Sequence, residues 1–192
     1  MKIGFIGIGV MGTGIINNLR KNNYDVTVYN RTKAHAQTVL DNGAKWANNP
    51  AELTKKVDIL FTMVGFPKDV EDIYFGQVGI LIVAKAGQYI VDMTTSKPSL
   101  AQKIGQIGEE KGLHILDAPV SGGDIGAKNG TLTVMIGGHK EDLNHLHDLF
   151  ITFASKLNYF GSYGSGQHAK MANQIMIAGT NHDWHDRNAG IC

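Results

Sequence analysis

The 192-residue chain holds one cysteine, Cys192, its last residue, so no disulfide can close within it and no cysteine-ligated zinc site can form. A reducing, cytoplasmic setting is the default that follows. Charge is scarce as well. Asp, Glu, Lys and Arg make up 18% of the residues and the net charge is +1, which gives no basic footprint for nucleic acid. No apolar run approaches the roughly 18 residues of a membrane span. The N-terminal stretch MKIGFIGIGVMGTGI opens as a signal peptide would, with one lysine and an apolar run. Glycines recur through it and no small-residue cleavage site closes it, so a secretory leader is not expected.

Glycine is the abundant residue, at 24 copies, mostly single or in short motifs between apolar runs, a pattern of tight turns and close backbone approaches. Hydrophobic residues reach 43%, enough for a substantial core in a chain of this length. Strand-length apolar runs stand at 2–6, 26–29, 59–64, 89–92 and 114–117, and helical text fills 11–21, 33–42, 51–55, 68–75 and 99–111. Pro50, Pro67 and Pro98 sit where a helix can open. This alternation predicts an α/β fold with a doubly wound, mainly parallel sheet of the Rossmann type. Two later strand-like runs, 130–138 and 156–161, with a helix over 140–153 between them, are expected to extend the sheet at its far edge.

The first run leads directly into GIGVMG, that is Gly7-x-Gly9-x-x-Gly12, and then a helix. Gly7 would make the tight turn, Gly9 would admit a pyrophosphate to the backbone, and Gly12 would let helix and strand approach. Val10 and Met11 lie between them at the helix start, whose free N–H groups and positive dipole end suit an anion. The second strand ends at VYNRT, where an NAD-binding chain would carry an acidic residue. Here stand Asn30, Arg31 and Thr32. A guanidinium can grip a 2′-phosphate that a carboxylate would repel, so NADP is favoured over NAD.

Ligands of such sheets sit beyond the carboxyl ends of the strands. The segments there are MVGFP (63–67), DMTTS (92–96) and DAPVSGGDIGAKNGTLTVMIGG (117–138). Ser121-Gly122-Gly123 offers a hydroxyl and consecutive backbone amides, suited to a carboxylate, although a plain glycine-rich turn before a strand reads equally well. On the last helix, helical spacing puts Lys170, Asn173 and Ile177 on one face. An ordinary lysine, near pKa 10.4, is too basic for ready proton exchange at neutral pH, and burial beside an oxidised nicotinamide would bring it toward about 7–8.

Three motifs, in order, resemble those of the β-hydroxyacid dehydrogenases, the family of 3-hydroxyisobutyrate dehydrogenase and tartronate semialdehyde reductase. They are GFIGIGVMGTGIINNL with Asn18 on its helix, DAPVSGGDIGAKNGTLTVMIGG, and GSGQHAKMANQ. The resemblance covers residues 1 to about 180. It implies Lys170 as catalytic acid/base, Ser121, Gly122 and Gly123 on the substrate carboxylate, Thr95 near the nicotinamide, and Met63 and Val64 lining the cofactor. The family's pattern puts an asparagine four residues after the lysine, where this chain has Gln174, so Asn173 is named in that role. The expected activity is NADP-dependent oxidation of a small 3-hydroxy acid, or reduction of the matching semialdehyde. A nucleotide sensor without chemistry would need neither Lys170 nor Ser121, and imine reductases typically replace the lysine. The family cofactor domain is also shared with 6-phosphogluconate dehydrogenase.

In the resembled family this helix leads into an all-helical second domain that closes the cleft and builds a dimer. The implied organisation is a cofactor domain over 1–162, the start of an interdomain helix over 163–180, and an unrelated or disordered tail over 181–192, the second domain missing and the intact protein a homo-oligomer. The tail's His182, Asp183, His185 and Asp186 resemble a metal cluster without a scaffold, and no metal site is assigned. The expected partner is a small carboxylate substrate, with neither nucleic acid nor membrane. Which hydroxy acid it is, the sequence leaves open.

Overall fold

The computed structural model describes residues 1–188, with side chains to Ala178. Six strands, β1 (Lys2–Ile6), β2 (Asp25–Tyr29), β3 (Lys45–Trp46), β4 (Ile59–Thr62), β5 (Tyr89–Asp92) and β6 (His114–Asp117), run parallel in the order β3-β2-β1-β4-β5-β6. This is the doubly wound arrangement, with its crevice between β1 and β4, where the strand order reverses. β7 (Val120–Ser121) and β8 (Leu132–Gly138) follow, β8 antiparallel to both β6 and β7, and β9 (Ala154–Gly161) pairs parallel with β8. The two late strands thus extend the sheet at its far edge, as expected.

Both faces of the sheet are covered, which is why its strands read as nearly continuous apolar runs. Ile3, Phe5, Ile59, Phe61 and Val91 point into one core, shared with α1 (Val10–Lys21), α2 (Gln37–Asp41) and α8 (Lys140–Phe150). Ile6, Leu60, Ile90 and Ile115 point into the other, under α3 (Pro50–Lys56), α4 (Pro67–Phe75), α5 (Ile80–Val83) and α6 (Pro98–Glu110). Phe61 anchors the first core, its ring centroid 6.1 Å from Phe5, 6.0 Å from Phe150 and 5.9 Å from Phe153. The proline at the first turn of α3, α4 and α6 supplies the fixed φ those starts need without losing a helical hydrogen bond.

Several short elements escaped the sequence reading: β3 and β7 are two residues each, and too short to carry a period. The stretch after Ser121, which reads as a glycine-rich turn, instead forms α7 (Gly123–Asn129). It packs on α1, where a Cβ on Gly14 would lie 2.8 Å from the Ala127 carbonyl carbon, so glycine is what permits the approach. Asn18 secures it by donating from Nδ2 to the carbonyls of Ala127 (2.7 Å) and Lys128 (3.4 Å).

The last helix, α9 (Ser165–Asn188), continues past Thr180, where its sequence pattern ends. The side chains proposed as a separate tail fall beyond the described ones, and residues 189–192 lie outside the described residues altogether. Among the described residues no helix is long and apolar enough to cross a membrane.

Candidate active site

At the crevice the chain turns sharply out of β1. Gly7 has φ +99° and donates its N–H to the Tyr29 carbonyl at 3.1 Å, while Met63 N–H donates to the Ile6 carbonyl at 2.8 Å. A Cβ on Gly7 would lie 2.0 Å from the Met63 oxygen, and one on Gly12 2.3 Å from the Gly7 oxygen. A Cβ on Gly9 would meet nothing within 4 Å. Two glycines are therefore required by crowding, and the third borders open space.

That space is a cleft of about 660 Å³, lined by the glycine turn, the end of β2 and the start of α4. Gly7, Gly9, Val10, Met11, Gly12, Asn30, Arg31, Thr32, Met63 and Val64 all border it. The first turn of α1 carries no acidic side chain. Its N–H groups lack intrahelical acceptors, as at any helix start, so the donors and the space suit a pyrophosphate. Asn30 braces the turn, its Oδ1 accepting the Ile8 N–H at 3.0 Å and its Nδ2 donating to the Thr32 carbonyl at 2.9 Å.

The lysine-bearing helix is fixed to the same sheet by a buried polar network. Asp117, at the end of β6, accepts the Gly164 N–H at 2.7 Å through Oδ1 and the Gln167 N–H at 2.9 Å through Oδ2, and so closes the start of α9. Gln167 reaches to the loop after β5, accepting the Ser96 N–H at 2.8 Å and donating to the Thr94 carbonyl at 2.7 Å. Thr94 Oγ1 in turn accepts the Val64 N–H at 3.1 Å. Lys170, one turn further along α9, is 7% exposed. No carboxylate pairs with it among the described residues. Burial lowers its pKa below the ordinary value by penalising the ammonium.

Residues 2–161 match the family described as the NAD binding domain of 6-phosphogluconate dehydrogenase. The chain belongs to that family. It is 52% identical over 176 residues to the uncharacterized oxidoreductase YkwC of Bacillus subtilis, covering 92% of this chain and 61% of that protein. It is 46% identical over 180 residues to the probable mitochondrial 3-hydroxyisobutyrate dehydrogenase-like 1 of Arabidopsis thaliana, covering 93% and 54%. Among solved structures, the 3-hydroxyisobutyrate dehydrogenase of Mycobacterium tuberculosis with L-serine superposes with a TM-score of 0.87 at 28% identity, covering 92% of this chain and 60% of that one. The likeness read from the three motifs is borne out, and the chain spans roughly 60% of the length of such relatives.

The residues expected to meet the cofactor thus border one cleft with the exception of Thr95, which lies outside its lining, exposed on the loop that Gln167 holds. Ser121 ends β7, and Gly122 (φ +125°) and Gly123 (φ +59°) turn the chain into α7 with Asp124 in its first turn. Of this segment only Asp124 borders the cofactor cleft. Asn173 is half-buried, its Nδ2 enclosed and without a partner among the described residues, whereas Gln174 is exposed. Neither Asp117 nor Gln167 stands out as a functional residue in the sequence. Both lie inside quoted motifs, but their partners are remote in sequence.

A second buried carboxylate, Asp92, ends β5. Asp92 Oδ1 accepts from the Thr62 hydroxyl at 2.9 Å and the Thr94 N–H at 3.1 Å, and Thr62 also meets the Tyr74 hydroxyl at 3.1 Å. Burial pushes the Asp92 carboxyl up from 3.8 to about 6, against the lowering effect of the Thr94 and Thr62 hydrogen bonds. A carboxyl raised on folding binds its proton more tightly in the native state. Its contribution to stability is therefore full below 3.8 and is lost as pH rises through about 6. Asp92→Asn removes this titrating group, so the melting temperature of the variant relative to wild type should be more favourable at pH 7 than at pH 4.5. A difference that does not change with pH would refute the buried charge.

Proposed function

We propose that this chain carries the cofactor site and the acid/base lysine of an NADP-dependent oxidoreductase acting on a small 3-hydroxy acid or the matching semialdehyde. The observation that carries the reading is Lys170: buried, without a carboxylate partner, lowered in pKa, and on a helix fastened by Gln167 to the loop that presents Thr95. When bound, the nicotinamide would supply or accept the hydride. Lys170 would protonate the carbonyl oxygen during reduction and take the hydroxyl proton in the reverse direction. Ser121 and the amides of Gly122 and Gly123 would hold the substrate carboxylate, and the unpartnered Asn173 amide would donate to substrate.

On the cofactor side, the glycine turn with Val10 and Met11 would receive the pyrophosphate, Arg31 and Thr32 the 2′-phosphate, and Met63, Val64 and Thr95 would border the nicotinamide half. Asn30 would act by shaping the turn. We take residues 1–162 as the cofactor domain and 163–180 as the start of an interdomain helix. Arg31 supports NADP, since no acidic residue stands at the end of β2 to hold a ribose diol.

The test is a titration of the chain with NADPH and with NADH, each followed by thermal melting. Greater stabilisation by NADPH supports the reading. An equal response leaves the fold and removes the NADP preference, and no response to either cofactor removes the site.

A further inference from the structure

Arg31 does not stand alone at the cleft. Its Nη1 lies 3.3 Å from Oδ1 of Asp69, on the first turn of α4, and both residues border the cleft. The two sides of this pair are held very differently. The Arg31 side chain is 87% exposed, so it can swing. Asp69 is 26% exposed and anchored at its other oxygen, where Oδ2 accepts the Phe66 N–H at 3.1 Å. Asp72, a nearby carboxylate on the same cleft, is paired with Lys68 Nζ at 2.7 Å, whereas Asp69 pairs with no other cation among the described residues.

We infer that Asp69 limits how strongly the cleft favours NADP over NAD, by competing with the 2′-phosphate for Arg31. This deepens the NADP reading and rests on it. To grip a phosphate, the guanidinium must leave Asp69, and the carboxylate, tied to its own helix start, stays behind without a counter-charge. NAD, lacking that phosphate, leaves the pair closed. Asp69 is thus a specificity-determining residue set against Arg31, and the discrimination is the difference between the two.

Asp69→Asn tests this with little disturbance, because an amide oxygen can still accept the Phe66 N–H. Kd for NADPH and NADH is measured by titrating the chain and following nucleotide fluorescence, for wild type, Asp69→Asn, Arg31→Gln and the double variant. An exposed ion pair is a small term, so Asp69→Asn should tighten NADPH about three- to fivefold and change NADH less. In the Arg31→Gln background the gain should shrink. If Arg31→Gln collapses the NADPH-to-NADH ratio while Asp69→Asn leaves it unchanged, the role of Asp69 is overturned and the NADP reading stands. If the gain persists undiminished without Arg31, competition for the guanidinium is overturned in favour of direct repulsion. If Arg31→Gln leaves the ratio at its wild-type value, the NADP reading falls and this inference with it.

Discussion

Under the proposed function, replacing Lys170 with alanine should lower turnover by about 10²–10⁴-fold, the usual worth of a positioned acid/base, and leave NADPH affinity as it was. The lysine lies outside the residues that border the cofactor cleft, so its loss removes a proton donor without removing a wall of that cleft. Its surroundings also predict the form of the pH profile. Reduction needs the ammonium form, and burial lowers the pKa of Lys170, so kcat for reduction should fall on an alkaline limb below the ordinary lysine value of 10.5. Lys170→Arg, which stays charged to far higher pH, should lose both the limb and most of the rate. A Lys170→Ala variant that keeps wild-type turnover, or a wild-type profile with no such limb, would sink the acid/base assignment.

The second large effect concerns Gly7. Gly7→Ala should destabilise the chain by about 2–6 kcal/mol, combining strain at positive φ with overpacking, and abolish cofactor binding. The added Cβ would fall 2.0 Å from the Met63 carbonyl oxygen, and φ +99° is a conformation that L side chains rarely adopt. To relieve the overlap β1 and β4 must part where the crevice opens, which moves the turn that borders the cleft. Thermal melting and an NADPH titration read the two consequences separately. Gly9→Ala is the contrast: nothing lies within 4 Å of its Cβ, so stability should hold while the cofactor is obstructed. If Gly7→Ala melts as the wild type does, the crowding argument is wrong.

These two residues also mark how far sequence reasoning reaches. The glycine turn was legible because its elements are local: an apolar strand, three glycines at fixed spacing and a helix start are contiguous in the chain, and each has a physical reason to be there. The five principal parallel strands were legible because both sheet faces are covered, so each strand is an unbroken apolar run bounded by turns. The two-residue strands β3 and β7 offered no pattern to read. Helix α7 was hidden because Gly122, Gly123 and Gly126 argue for a turn, whereas the contact that seats the helix, Gly14 of α1 against Ala127, is remote in sequence.

The sequence alone determined the layered α/β architecture and the location of the glycine turn, since strand and helix periodicities and short motifs are properties of neighbours along the chain, and the family resemblance singled out Lys170 as the candidate acid/base. Only the tertiary structure decided what surrounds them. It buried Lys170 without a carboxylate partner among the described residues, tied its helix to the loop after β5 through Gln167 and to the end of β6 through Asp117, and paired Asp69 with Arg31 at the cleft. Those facts depend on residues 38 to 73 positions apart. Burial, which shifts a pKa, and pairing, which biases a cation toward one partner, arise when the sheet brings such residues together, and no local pattern records them.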